Sequence, residues 1–588
     1  MIREKEKKTP ILEITNDLHE CLISKDFNNF WRTWKNKLET DKNISFACID
    51  GMTCDSEIAT QFAKYFEKNC NSVVNEKSRN VKNNFEIIFN KFVTNKRFHR
   101  KYVTDIETVE KVVTSMKSGK AASLDELMIE HFKYAHPIVL VILKKLFNLL
   151  LDLGHVPDAF GRGLIVPIPK NSRGSKYAKI SDFRGITISP VISKIFEKCL
   201  LILFSDYLAT SDFQFGFKKN RGCRDALFIF NETVDYFVNN SSSMSVCAVD
   251  LTKAFDKINH HALFIKLIER NVPSCFLKIL YSWYSKCLCL VRWGNSLSYL
   301  FSMNQGIRQG GVISPLLFSV YVDDVLRKLN SSGYGCYVSG IMISAIMYAD
   351  DVMLLAPSVE SLQKLILMCQ AEFRDLFLEF NVAKCVAMRI GNRFKTQCAE
   401  LITTNGSVIP WKDEMKYLGI VFTHGPFLKV NLHYNKVKYF RAFNRIFAKL
   451  GGSGGIDTIV HLLKTNCLSI LLYNLESMHL SRTNYNSLQY PVNRSFIKIF
   501  HINDGMSINW CQHYMQLLPI EMCCDLRRIV FLNKLSVTSC ILLEHVFTCL
   551  AKTARSLLHS KYGYFNEAAL NRNAWIKIMN DKELENLT

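Results

Sequence analysis

Acidic residues are in short supply: 53 Asp and Glu stand against 74 Lys and Arg, a formal charge of +21. A deficit that large implies a polyanionic partner, held by phosphate neutralisation and counterion release; a membrane-surface or ribosomal protein would share it. No two of the 20 cysteines have the spacing of a zinc ribbon or thioredoxin motif. Scattered, reduced thiols fit a cytosolic or nuclear protein better than a secreted disulfide scaffold. The opening Met-Ile-Arg-Glu-Lys-Glu-Lys-Lys lacks the apolar stretch of a signal peptide. The most apolar helix candidate, Pro137 to Leu153, is interrupted by Lys144 and Lys145 and falls short of a membrane span. No repeat period and no long low-complexity tract is present. These absences leave a soluble, intracellular protein of the nucleus or cytoplasm with no membrane partner, and 48% hydrophobic content supplies cores for several domains.

Composition divides the chain into four parts. Residues 1–102 read as a helical extension followed by a basic linker. Ser56 is placed to cap a helix with Ile58, Phe62 and Phe66 on its apolar face, and Lys91, Lys96, Arg97, Arg100 and Lys101 enrich the stretch after Asn75. Residues 103–425 alternate helical and strand-like segments between Gly- and Pro-marked turns, which predicts one large α+β body. Residues 426–500 turn helical. There Lys438, Arg441, Arg445 and Lys449 run opposite Val437, Phe440, Phe443, Phe447 and Leu450, ahead of a flexible hinge at Gly451 to Gly455. Residues 501–588 predict a helical segment without an assigned role, in which Arg527, Arg528 and Lys534 form the solvated ends of a core helix.

Two acidic segments a hundred residues apart carry the chemistry. Asp250 follows the strand-like run Val246 to Val249. Asp350 and Asp351 lie between two apolar runs, Ile341 to Met347 and Val352 to Ala356, at the tip of a predicted hairpin. A second Asp-Asp pair, Asp323-Asp324, is a decoy: Ser314-Pro315 starts a helix, and Leu317, Tyr321, Val325 and Leu329 recur at its four-residue spacing. Aspartates displayed at strand ends can hold two hard divalent cations, the apparatus of two-metal phosphoryl transfer. Phe255, five residues past Asp250, can lie beneath a nucleotide sugar and exclude a 2′-hydroxyl. The glycine-rich turn Gly306 to Gly311 lets backbone approach a base pair at Gly310, with Gln309 placed to hydrogen-bond the nucleotide.

The order of these segments resembles the palm motifs of reverse transcriptases. Upstream, Val166-Pro167-Ile168-Pro169-Lys170 and Asp182-Phe183-Arg184-Gly185 through Lys198 resemble the fingers motifs, and Gln214-Phe215-Gly216-Phe217 to Cys223 the segment before the first palm strand. Downstream, Phe380-Asn381-Val382-Ala383-Lys384-Cys385 and Lys416-Tyr417-Leu418-Gly419 match the next palm motif and the primer grip. The phrases Ser118-Gly119-Lys120-Ala121-Ala122, Glu130 to Ala135 and Leu471 to Glu476 point to the reverse transcriptases of non-LTR, LINE-type retrotransposons in the broad jockey-like group.

The resemblance implies a right-hand fold with fingers and palm over 103–425 and a helical thumb over 426–500. It implies an RNA-directed DNA polymerase taking RNA template, DNA primer and dNTPs. Asp250, Asp350 and Asp351 would bind two Mg²⁺ ions, with Mn²⁺ as the substitute and the Val249 to Leu251 backbone assisting. Lys170 and Arg184 would grip the triphosphate, Lys384 would protonate the leaving pyrophosphate, and Tyr417, Leu418 and Gly419 would form the primer grip. The runners-up are a group II intron or retron-type enzyme and an inactive RNA-binding remnant of a retroelement. The sequence departs from the family at Ser123-Leu124-Asp125-Glu126, where Gly-Pro-Asp-Gly is usual, which predicts a stiffer or misplaced turn. Cys385 stands where Ser is usual. No pattern of the family's N-terminal endonuclease, of an RNase H or of a Cys/His knuckle is expected.

Overall fold

Four short strands position the acidic segments. In this computed structural model, which describes residues 16–38, 46, 48–71, 75–95, 102–170, 177–450 and 455–562, they are β1 (Met244–Val249), β2 (Ala345–Tyr348), β3 (Asp351–Ala356) and β4 (Val386–Ile390). They pair antiparallel in the order β2-β3-β1-β4. Their side chains alternate between two faces, and both faces are covered, which explains the unbroken apolar runs. Val246, Met353 and Leu355 join a core with Leu227 and Phe230 of helix α1 (Cys223–Asn239). Cys247, Val249, Val352 and Leu354 face the other way, into a core with Leu317 and Phe318 of α2 (Ser314–Asn330) and Leu362 and Ile366 of α3 (Val359–Asp375). The decoy pair lies on α2 as expected: buried Asp323 accepts from Arg270 at 2.7 Å and Arg327 at 2.8 Å.

A second, mixed sheet centres on Arg162–Pro169, antiparallel to Phe183–Ile188 and parallel to Leu288–Trp293. Helix Asp55–Cys70 packs Phe62 on Phe183 and Trp293. Its N-cap is Cys54, so Ser56 lies inside the first turn and does not cap it. The stretch read as a basic linker is a helix from Glu76 to Asn95. Phe85 anchors it by packing on Phe264 and His261 of helix His260–Glu269. Lys96, Arg97, Arg100 and Lys101 lie outside the described residues.

The hairpin Glu414–Tyr417/Ile420–Thr423 leads into helix His433–Leu450. Its buried stripe is Tyr439, Phe443, Ile446 and Leu450. That is a rotation from the expected one, because Tyr439 bonds Ser495 across the core at 2.9 Å; Lys438, Arg441 and Arg445 are exposed. Gly451 to Gly454 of the expected hinge lie outside the described residues, as does the end of the chain from 563. Helix Ile520–Leu535 corrects one expectation: Arg528 is buried and donates to the Met478 carbonyl, and Arg527 donates to the Leu472 carbonyl at 2.9 Å. These cations tie the segment inward instead of solvating its ends. Among the described residues no helix is long and apolar enough to cross a membrane.

Candidate active site

The register of the sheet gathers the acids. Val249 pairs with Val352 and Tyr348 with Asp351, so the chain leaves β1 at Asp250 beside the place where it enters β3 at Asp351. Ala349 and Asp350 form the tight turn between β2 and β3. Ala349 takes φ +57°, a left-handed conformation that is uncommon outside glycine. Burial raises the Asp350 carboxyl above the usual carboxylate range, and Asp250 adds to the rise. Burial, then Asp350 and Asp250, push Asp351 up to about 6, although its side chain reaches solvent. Arg184 and Lys384 oppose both shifts.

Lys384 approaches from the far side of β1. Asn381 donates its backbone N–H to the Asp250 carbonyl at 2.8 Å, and the Lys384 ammonium stands 3.2 Å from Asp250 Oδ2. The same Asp250 oxygen is buried without a hydrogen bond. The Asn381 bond ties the backbone at Asp250 to the segment that carries Lys384. Among the described residues no three His, Cys, Asp or Glu side chains form a ready-made metal cage. Mg²⁺ binds through one or two carboxylates and completes its shell with water and substrate phosphate, and the unbonded Asp250 oxygen fits such an ion.

The glycine-rich turn lies on the segment after Asp250. Gly306 N–H donates to Ile258 at 2.7 Å and Ile307 N–H to Phe255 at 2.8 Å. Gln309 Nε2 donates to Asp256 Oδ1 at 2.9 Å. Gly310 has φ +126°, and a Cβ there would stand 2.4 Å from the Thr187 carbonyl oxygen. The glycine therefore lets this turn meet the Phe183–Ile188 strand, where Thr187 N–H donates to the Gln309 carbonyl at 2.7 Å. Phe255 stacks on Phe318 with ring centres 4.7 Å apart and meets Phe217 edge-on. Arg184 is exposed on that strand, while Lys170 Nζ donates to the Ser181 carbonyl at 2.6 Å.

Residues 168–422 match the family described as reverse transcriptase (RNA-dependent DNA polymerase). This part of the chain is a reverse transcriptase domain. The Pol polyprotein of a type-2 retrotransposable element from Drosophila melanogaster is 27% identical over 50% of this chain and 28% of its own length. The RNA-directed DNA polymerase of mobile element jockey from Drosophila funebris is 27% identical over 54% of this chain and 35% of its own. The probable RNA-directed DNA polymerase of transposon BS from Drosophila melanogaster is 22% identical over 66% and 44%. The chain thus spans less than half the length of these relatives, all of them proteins of retrotransposable or mobile elements. Apo telomerase from Candida tropicalis aligns with a TM-score of 0.35 and 13% identity over 92% of this chain and 98% of its own. The reverse transcriptase domain is α+β, with the acids at one end of its four-stranded sheet.

Within the reverse transcriptase domain, Leu418 and Gly419 make the tight turn of the Glu414–Tyr417/Ile420–Thr423 hairpin, directly after Tyr417. Leu418 (φ +44°) and Gly419 (φ +86°) both take left-handed backbone, and the Gly419 Cα lies against the Tyr473 ring. Tyr417 is buried, its hydroxyl unbonded and its ionisation suppressed by burial, with Asp351 adding. The departing turn is intact: Glu126 N–H donates to the Ser123 carbonyl at 3.2 Å and Ser123 Oγ to Ile188 at 3.0 Å. Glu126 takes φ +56° in place of glycine.

Sequence reasoning missed four groups that this fold places around the site. Asp256 orients Gln309. Buried Glu197 accepts from Val312 and Ile313 N–H, the latter at 2.9 Å, and lies 3.9 Å from buried Arg308. The cysteine at the start of α1, Cys223, lies beside Tyr348 and Tyr473. Gln214 reaches the Ala349 backbone. Glu197, Cys223 and Gln214 lie within the quoted motifs, but the partner that gives each group its place is far away in sequence, which periodicity does not reveal.

Proposed function

We propose that this protein is an RNA-directed DNA polymerase of a non-LTR retrotransposon, extending a DNA primer on an RNA template with dNTPs. The observation that carries the reading is the convergence of Asp250, Asp350 and Asp351 at one end of the palm sheet beside Lys384. Asp250 and Asp350 hold the divalent cations, Mg²⁺ or Mn²⁺, and Asp351 supports them with its charge. When bound, the ions lower the pKa of the primer hydroxyl and neutralise charge developing on the phosphates. The protein's own part is positioning and electrostatics. Lys384 neutralises Asp250 before substrate arrives, and its ammonium then gives a proton to the departing pyrophosphate oxygen. Arg184 faces the carboxylates and meets the triphosphate; Lys170 joins it by leaving the Ser181 carbonyl. Gln309 and Gly310 line the base-pair side, and Phe255, held by Phe318, closes the sugar side. Tyr417, Leu418 and Gly419 contact the primer, and residues 426–500 act as the thumb. The compartment proposed for it is the nucleus or cytoplasm, in complex with RNA.

Primer extension by the purified protein on an RNA template with dNTPs and Mg²⁺ tests the proposal. DNA synthesis by the parent and none by Asp350→Asn supports it; a folded, RNA-binding parent that makes no DNA overturns it in favour of an inactive remnant.

A further inference from the structure

We propose that Gln214 is a positioning residue: its carboxamide latches the turn that aims Asp350, and so sets the affinity of the palm for a divalent cation. This rests on the reading of Asp350 as a cation-holding carboxylate. The segment Phe213 to Phe215 runs beside β2 as a short extra strand. Met347 N–H donates to the Phe213 carbonyl at 2.9 Å, and Phe215 N–H donates to the Met347 carbonyl at 2.8 Å. Main-chain pairing stops there, one residue short of the Ala349–Asp350 turn. The Gln214 side chain continues it. Its Oε1 accepts from Ala349 N–H at 3.1 Å, and its Nε2 donates to the Ala349 carbonyl at 3.3 Å. A carboxamide carries one acceptor and one donor set in the same plane as a peptide, so Gln214 stands in for the missing strand residue.

The latch is itself fixed. Gly216 N–H donates to Gln214 Oε1 at 2.9 Å, and the bare Gly216 Cα lies so close that a Cβ would stand 2.2 Å from Ala349 N. Gln214 and Ala349 are both buried, so water does not replace these bonds. Ala349 needs such restraint, since φ +57° is disfavoured for a residue with a Cβ. Asp350 is the next residue along the chain, and a small rotation of the Ala349 peptide redirects its carboxylate. A metal site depends on the shell that orients its ligands, and losing such a partner typically lowers metal affinity about 10–100-fold.

The test uses the full chain and two variants that disturb the latch differently, Gln214→Met and Gly216→Ala. Mn²⁺ binding is read by electron paramagnetic resonance, and turn order by amide hydrogen exchange at Ala349. Expected are weaker Mn²⁺ binding by about ten-fold or more in both variants and faster exchange at Ala349. Amides of β1 and β3 should stay protected and RNA affinity unchanged, results that a general loss of folding would not give. Unchanged exchange at Ala349, or parent-like Mn²⁺ binding despite faster exchange, overturns the latch. A parent that binds no Mn²⁺ and extends no primer overturns the metal reading and the latch together. A parent that does both, with variants that match it, overturns the latch alone.

Discussion

Gln309 and Asp256 face each other across 2.9 Å, the carboxamide donating to a carboxylate that burial holds above its ordinary pKa. They come from separate loops, and their bond fixes the side chain of the glycine-rich turn against the segment that carries Phe255. A hydrogen bond to a charged acceptor contributes about 1.5–3 kcal/mol. Asp256→Ala is therefore expected to raise the KM for dNTP about ten-fold, with a smaller change in kcat. Asp256→Asn keeps an acceptor for Gln309 and should stay near the parent. Single-nucleotide incorporation measures both; equal KM values for the two variants would show that Gln309 is not oriented by this bond.

Asp350→Asn should reduce synthesis by at least about a hundred-fold, the scale of losing one preorganised group from a charged transition state. The substitution keeps the size of the side chain and leaves the exposed cations Lys438, Arg441 and Arg445 untouched. RNA affinity, followed by filter binding, should hardly move. Parallel loss of synthesis and RNA binding would identify Asp350 as a structural residue.

Phe255→Val should admit ribonucleotides. The ring is held by its stack on Phe318 at 4.7 Å, so it cannot swing aside for a 2′-hydroxyl without breaking that contact. Discrimination between dNTP and rNTP should fall about ten-fold or more, the scale of a contact the size of a methyl group in a pocket. Phe318→Leu serves as the control for loosened packing. Unchanged sugar selection in Phe255→Val sinks the gate.

The acids were legible in the sequence because strands expose their ends. Val246 to Val249 and Val352 to Ala356 are apolar on both faces, so Asp250 and Asp351 mark where burial stops. Four-residue spacing equally betrayed the helix beneath Asp323 and Asp324. Helix Glu76–Asn95 stayed hidden because Asn and Lys dominate its composition, and its Phe85 has meaning only against Phe264. Lys170 shows the limit for single side chains: its motif places the residue, while a local carbonyl at Ser181 decides where its ammonium rests.

Glu126→Gly should stabilise the protein slightly. Glu126 is exposed and holds φ +56° in a closed turn. A left-handed residue with a Cβ costs about 1–2 kcal/mol, partly offset in the variant by the greater entropy glycine brings to the unfolded chain. A net gain of about 0.5–1 kcal/mol follows, readable as a higher midpoint in urea. A fall in stability would show that the Glu126 side chain makes a contact outweighing its backbone strain.

His260 should make the protein acid-sensitive. The ring is buried beneath the glycine-rich turn, bonds the Gly306 carbonyl oxygen at 2.6 Å, and meets Tyr284 edge-on. Burial lowers its pKa from 6.5 to about 4, with the Gly306 bond opposing. A folded-state pKa below the unfolded one means that the unfolded chain takes up the proton first. Stability is therefore intact above pH 6.5 and declines as pH falls toward 4. One pKa unit corresponds to about 1.4 kcal/mol, so the loss over that window is about 3 kcal/mol. His260→Gln, which keeps a donor for Gly306 and cannot ionise, should flatten this part of the profile. Urea midpoints at stepped pH values decide the matter: identical slopes for parent and variant would place the acid sensitivity elsewhere.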